Sequence, residues 1–401
     1  MPGPLQGVRV LDLTTVLMGP YATQILADYG ADVIKVEPPE GDGTRGIGPM
    51  RSPGMGAIFL NANRGKRSIA LDLKNPEARK ALLELASASD VLVYNTRPQA
   101  MARLGLSYEE VRAVNPGIVY VGLFGFGRGG PYADKPAYDD LIQGAAGLPA
   151  LSLLSGSPVP RYVPTTIADR TVGLSAVGAI LAALFHRQRT GEGQSIDVPM
   201  FETMTQFVMG DHLAGRSFVP PEGPTGYARL LAHERRPYAT ADGYICALIY
   251  SDKQWKNFCA LIGQAGMFTD DARLKNLTTR TRNIDALYRF VGETMATRST
   301  AEWMDVLEKA DIPCMPMHTP DSILDDPHLR AVGFFHEIDH PSEGRLVSMA
   351  VPSRWSQTQP VPTRPAPRLG EHTVEVLTEA GLGEDRIRAL LPAFKPEIPA
   401  P

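Results

Sequence analysis

Asp169 stands at the head of the longest apolar helical pattern in the chain, which runs from Asp169 to Arg189. A carboxylate at that position has two uses. It can cap the helix by accepting hydrogen bonds from the first unpaired N–H groups. The positive end of the helix dipole also keeps a carboxylate ionised, and an ionised carboxylate can act as a nucleophile. The two uses are compatible, so the local sequence leaves both open. A second pattern is Gly125, Gly127 and Gly130, which spell G-x-G-x-x-G after a predicted strand. Dinucleotide binding would need a helix to start there and an acid about 20 residues later. Pro131 follows instead, and Leu148–Ser157 carries no acid, so the glycines predict a turn at a strand end. The chain has no phosphate-binding Walker loop and no G-x-S-x-G. Cys246, Cys259 and Cys314 lack any paired spacing, so no metal site is expected.

The elements that must position these residues read as strands alternating with helices. Predicted strands are 7–13, 31–37, 66–73, 90–95, 117–125 and 194–200; predicted helices are 21–30, 76–87, 169–189 and 200–214. Such alternation implies βαβ units and a mostly parallel sheet. Ligands of such sheets sit beyond the carboxyl ends of the strands, which directs attention to Thr14–Pro20, Asn95–Pro98 and Gly125–Tyr138. Val172, Ala176, Ile180 and Leu184, joined by Val177, Leu181 and Phe185, predict a broad buried face on the long helix. Linker-like stretches at 217–226 and 356–371 set off residues 227–327 as a smaller α+β domain. The larger domain then comprises 1–216 and 328–401, with a C-terminal helix near 372–379.

Composition narrows the class. The 401 residues carry 40 Lys and Arg against 44 Asp and Glu, a formal charge of −4, which speaks against a nucleic-acid partner. Three cysteines cannot make a disulfide framework, so a reducing, cytoplasmic setting is expected. No secretory leader is expected at the N-terminus. The longest apolar run, Val172–Phe185, falls short of the ~20 residues a membrane span needs. With 38 Gly and 35 Pro the chain folds with unusually many loops.

Several stretches, in order, resemble the family III CoA-transferases, the group of formyl-CoA transferase and carnitine CoA-transferase. They are 7–45, 61–79, 95–111, 115–144, 168–202, 325–345 and 368–381, which together span nearly the whole chain. The resemblance implies a Rossmann-like α/β large domain built from both chain ends, a small domain inserted through two linkers, and an interlocked homodimer. It implies transfer of CoA from an acyl-CoA, succinyl-CoA or a similar small thioester, to a carboxylic acid. The steps run through an aspartyl anhydride and an aspartyl-CoA thioester. Acyl-CoA and the acid are substrates, and no permanently bound cofactor is expected.

On the same resemblance Asp169 is the nucleophile. CoA contacts carry over to Val16, Leu17 and Met18, to Leu71 and Lys74, to Asn95, Thr96 and Arg97, and to Arg103, Tyr138 and Met200. Formyl-CoA transferase has an arginine where this chain has Pro38, so its role is either absent here or taken by Arg45. Its glycine-rich lid is replaced by residues 226–244, whose Arg229, His233, Arg235 and Arg236 are candidates to clamp the second carboxylate of a dicarboxylic acid. The alternative is α-methylacyl-CoA racemase, which shares the fold. That enzyme has a histidine where this chain has Tyr138, and the stretch 135–144 offers none.

Overall fold

The computed structural model describes residues 3–391 and divides them into two compact units. The first takes in the described residues up to Ala146, Pro164–Gln206, and those from His328 on; the second is Gly147–Val163 with Phe207–Pro327. The expected boundaries therefore shift. Residues 147–163 join the second unit because Gly156, at φ +97°, lies against the His233 ring where no Cβ would fit. The stretch 218–226 is not a free linker: Gly215 N–H bonds the Pro224 carbonyl and Gly226 N–H bonds that of His212.

In the first unit, β1 (Arg9–Leu13), β2 (Asp32–Glu37), β3 (Lys66–Ala70), β4 (Val91–Tyr94), β5 (Val119–Phe124) and β6 (Gln194–Pro199) form one sheet in the order β3-β2-β1-β4-β5-β6. Every pairing is parallel. Parallel strands are covered on both faces, which is why β4 and β5 are apolar without alternation and fully buried. Leu11, Ile34, Ile69 and Leu92 form the centre of the core at 0% exposure. All six strands come from the first 199 residues; the C-terminal stretch completes the unit with the helix Thr373–Glu379, which packs on β3. It also adds an antiparallel hairpin, Phe335–His340 with Gly344–Met349, that the sequence pattern does not announce.

The long helix spans Ile167–Thr190 and packs on the first helix, Met18–Asp28, and on β5 and β6. The close approach rests on Gly173, where a Cβ would come within 2.8 Å of the Met18 carbonyl oxygen. Its buried face is narrower than predicted: Val172, Ala176, Val177, Ile180 and Ala183 are buried, but Phe185 is 59% exposed. The helix has 24 residues, and an 18-residue stretch of it has a mean hydropathy of 1.5, so by length and composition it is apolar enough to cross a membrane. The length of the apolar run therefore does not exclude a span here, since the helix extends beyond that run at both ends.

The second unit builds a three-stranded antiparallel sheet from Tyr238–Ala239, Tyr244–Ala247 and Cys314–Pro316. The helices Asp252–Leu261, Ile284–Met295 and Thr300–Lys309 close its core around Trp255, Phe258 and Trp303. Ser251 with Gln254, and Ser299 with Glu302, form capping boxes that fix where two of these helices start.

Gly19 lies where the first helix crosses the end of β1, and a Cβ there would overlap the Thr14 side chain. Overpacking of this kind costs about 1–3 kcal/mol. Gly19→Ala is expected to lower the urea midpoint of the cooperative unfolding transition by the corresponding amount.

Candidate active site

Strand order reverses between β1 and β4, because the chain leaves β1 toward β2 on one side and β4 toward β5 on the other. The loops after these two strands diverge and leave a crevice at the carboxyl edge, the place where doubly wound sheets bind ligands. Asn95, just after β4, ties the two loops together: it accepts from the Thr15 N–H at 3.0 Å and donates to the Thr15 carbonyl at 2.9 Å. A cavity of about 1020 Å³ opens there. Nine of the expected site residues line it: Val16, Leu17 and Met18 from the first loop, Asn95, Thr96 and Arg97 from the second, and Tyr138, Asp169 and Met200. No histidine is among its lining residues.

Asp169 is not the cap residue. The helix begins two residues earlier, after Thr166, because Ile167 already adopts helical geometry and Ala168 is fully buried. The Asp169 N–H, one of the four that a helix start leaves unpaired, donates to Asp139 Oδ1 at 2.9 Å. Asp139 Oδ2 accepts from the Gln143 amide at 2.7 Å. Both Asp139 oxygens are thus engaged, whereas among the described residues no hydrogen bond reaches the Asp169 carboxylate. Burial, and after it the neighbouring Asp139 charge, push the Asp169 carboxyl up to about 7, against the opposing pull of Arg170. The raised carboxyl of Asp169 lines the cavity.

Sequence reasoning missed Asp139, Arg128 and Lys135, which also line the cavity. All three sit in or next to the flagged loop 125–138, but the side-chain directions depend on how that loop folds. Gly127 donates its N–H to Glu202 Oε1 at 2.9 Å, and a Cβ on Gly127 would overlap that carboxylate. This pins the glycine turn and turns Arg128 onto Asp197 at 2.7 Å. Arg97 and Lys135 are exposed, and no carboxylate pairs with either among the described residues. They are the cations of this cavity left open to an anion.

A family model for CoA-transferase family III matches residues 5–373. The chain is 33% identical over 389 residues to a succinate–glutarate CoA-transferase of Agrobacterium fabrum, covering 94% of this chain and 95% of that protein. It is 32% identical over 388 residues to human succinyl-CoA:glutarate CoA-transferase, covering 96% and 87%. The crystal structure of a CaiB/BaiF family protein from Brucella suis superposes with a TM-score of 0.79 at 32% identity, covering 95% of this chain and all of that one. The chain belongs to CoA-transferase family III.

Not every residue expected to touch CoA in a transferase of this family lies at the cavity. Leu71 is 1% exposed and packed in the core beneath β3, so its side chain is structural. Lys74 is exposed in the turn before the helix Pro76–Ser87, and Arg103 is exposed on the last turn of Pro98–Arg103. Neither lines the cavity. Arg45 does not stand in for an arginine at position 38: it is 4% exposed, bound through two nitrogens to Glu37 at 2.7 Å and stacked over Phe59. The four candidates of loop 226–244 belong to the second unit. Arg229, Arg235 and Arg236 line a cavity there of about 450 Å³, while His233 does not. Arg229 donates to the Tyr288 hydroxyl at 3.1 Å and Arg236 pairs with Glu234 at 2.8 Å, while among the described residues no carboxylate pairs with Arg235.

The carboxyl pair makes the CoA-transferase sensitive to pH. A carboxylate serves as a nucleophile only when ionised, so a reaction that uses Asp169 in this way is expected to show kcat/KM rising with pH through about 7. Asp139→Asn removes the neighbouring charge and moves that inflection to lower pH. Because the folded carboxyl titrates above its ordinary 3.8, its ionisation costs stability as pH rises through about 7. Asp169→Asn is therefore expected to melt above the wild type at pH 8, with the advantage shrinking as pH falls toward 4, while activity is lost.

Proposed function

We propose that this CoA-transferase moves CoA from succinyl-CoA to a small dicarboxylic acid through covalent intermediates on Asp169. The observation that carries the reading is the Asp169 carboxylate, which lines a crevice large enough for a thioester and is reached by no hydrogen bond from the described residues. Succinyl-CoA as donor follows from relatives named for succinyl-CoA and glutarate or mesaconate. Asp169 attacks the thioester carbonyl, the C–S bond breaks, and CoA leaves as the thiolate. The thiolate attacks the Asp169 carbonyl of the resulting anhydride, releasing succinate and leaving an aspartyl-CoA thioester. The acceptor carboxylate attacks that thioester, again expelling the thiolate, which then attacks the acceptor carbonyl. The new acyl-CoA departs and Asp169 is regenerated. Thioester energy is conserved at each step, so no nucleotide is spent. Arg97 and Lys135 are the residues suited to CoA phosphates, since charged donors to phosphate make the stronger hydrogen bonds.

Trapping tests the intermediates. Incubation with succinyl-CoA followed by hydroxylamine is expected to leave a hydroxamate on Asp169, located by peptide mass spectrometry. Absence of any adduct, with deuterium washing into the α-position of a 2-methylacyl-CoA, would overturn the reading in favour of racemisation.

Arg235, in the second unit's own cavity, is proposed to bind a carboxylate of the acceptor acid. Arg235→Ala is expected to raise KM for a dicarboxylic acceptor about tenfold, the loss of a charged hydrogen bond, and to leave KM for a monocarboxylic acid unchanged. Equal KM values for the dicarboxylic acid in wild type and variant would remove Arg235 from the site.

A homodimer belongs to the same proposal. The long helix leaves Leu174 at 55% and Phe185 at 59% exposure, side chains a second copy would cover. Light scattering after size exclusion is expected to give twice the chain mass.

A further inference from the structure

Beneath the first loop of the cavity lies a group of charges the reaction does not use. Asp12, Lys35 and Lys66 are 0% exposed, Glu37 1% and Asp42 2%. Buried ion pairs of this kind often stabilise a fold no better than apolar side chains would, so their hydrogen bonds show what else they do. Lys66 pairs with Asp12 at 2.9 Å, and Asp12 accepts from the Thr14 N–H at 3.0 Å. Lys35 pairs with Asp42 at 2.9 Å and donates to the Thr14 carbonyl at 2.9 Å. Asp42 accepts from the Val16 N–H at 3.2 and 3.3 Å, and from the Thr44 N–H at 2.9 Å and hydroxyl at 2.8 Å. With Asn95 on Thr15, each residue of Thr14–Val16 is held by a side chain rather than by a strand neighbour.

The last residue held is the unusual one. Val16 has φ +70°. A β-branched residue adopts this left-handed conformation only when its surroundings impose it. Its side chain is 47% exposed on the cavity wall, so core packing is not the reason. The group that holds its N–H is Asp42, and the group that holds Asp42 is Lys35.

We propose that Lys35 and Asp42 are positioning residues for the CoA thioester: the buried pair holds Val16 in its left-handed turn, and that turn sets the cavity wall against which the ligand binds. The inference rests on the reading of the cavity as the CoA site. Its size follows from the conformation. Released from Asp42, a valine would populate positive φ only a few per cent of the time. Affinity falls in proportion to the competent fraction, by about twentyfold. A glycine populates positive φ about as readily as negative, so it would lose only about twofold.

The test measures CoA affinity by calorimetry and KM for succinyl-CoA on the full chain. Asp42→Asn is expected to raise both Kd and KM about twentyfold with little change in kcat, and Val16→Gly added to Asp42→Asn is expected to recover most of that loss. If Asp42→Asn fails to fold, Thr44→Val, which removes one hydrogen bond from Asp42 and leaves the ion pair, is expected to weaken CoA about threefold. Val16→Gly is expected to recover that loss too. Wild-type CoA affinity in Asp42→Asn, or in Thr44→Val where that variant is needed, overturns the inference. So does a loss that Val16→Gly does not reduce, since a purely structural role has no reason to depend on residue 16. Wild-type protein that binds no CoA overturns the reading of the cavity itself, a result distinct from an unchanged variant.

Discussion

A parallel sheet that grows outward in both directions from β1 and β4 must leave its first two connections diverging, and everything at the site follows from that gap. The loops after β1 and β4 meet across an open crevice at the carboxyl ends of the two central strands. Neither loop has a strand beside it to take its hydrogen bonds, and buried backbone groups cannot be left unpaired. Asn95 takes both polar groups of Thr15. Asp12, Lys35 and Asp42 take those of Thr14 and the N–H of Val16. The charged group under the crevice is thus a consequence of the strand reversal.

The same constraint shapes the carboxyl pair. The long helix runs between β5 and β6 in sequence, so its N-terminus arrives at the carboxyl edge of the sheet, beside the loop after β5. That loop leads into Asp139, which takes the N–H of Asp169. The helix end is therefore capped by a neighbouring segment, and among the described residues nothing engages the Asp169 carboxylate. Helix dipole and burial act on it in opposite directions, and burial together with Asp139 prevails. A side chain spent on capping its own helix would be a poorer nucleophile.

The second unit is held by different means. Its core depends on Trp255, Phe258 and Trp303 and on helices fixed by capping boxes. The Trp303 indole N–H finds the Met295 carbonyl at 2.7 Å, which makes a large polar-tipped ring acceptable at 1% exposure. Cations gather at its own cavity, with Arg229 and Arg236 engaged and, among the described residues, no carboxylate pairing with Arg235.

The sequence by itself determined the alternation of strands and helices, the parallel class and the strand-end loops that hold the site. Short β-branched runs and Gly/Pro breaks are local signals, legible without neighbours. Family resemblance and topology point to the same strand ends for Asp169 and the loop residues Val16–Met18 and Asn95–Arg97, and all of them line the cavity. The tertiary structure decided what depends on residues distant in sequence. It placed Leu71 in the core and spent Arg45 on Glu37, because a lone arginine or leucine carries no sign of its partner. It made Asp139, not Asp169 itself, the partner of the helix N–H, across a gap of 30 residues. It set Val16 at φ +70°, which nothing in a valine's own preferences foretells, since the force that holds it comes from Asp42 on another loop.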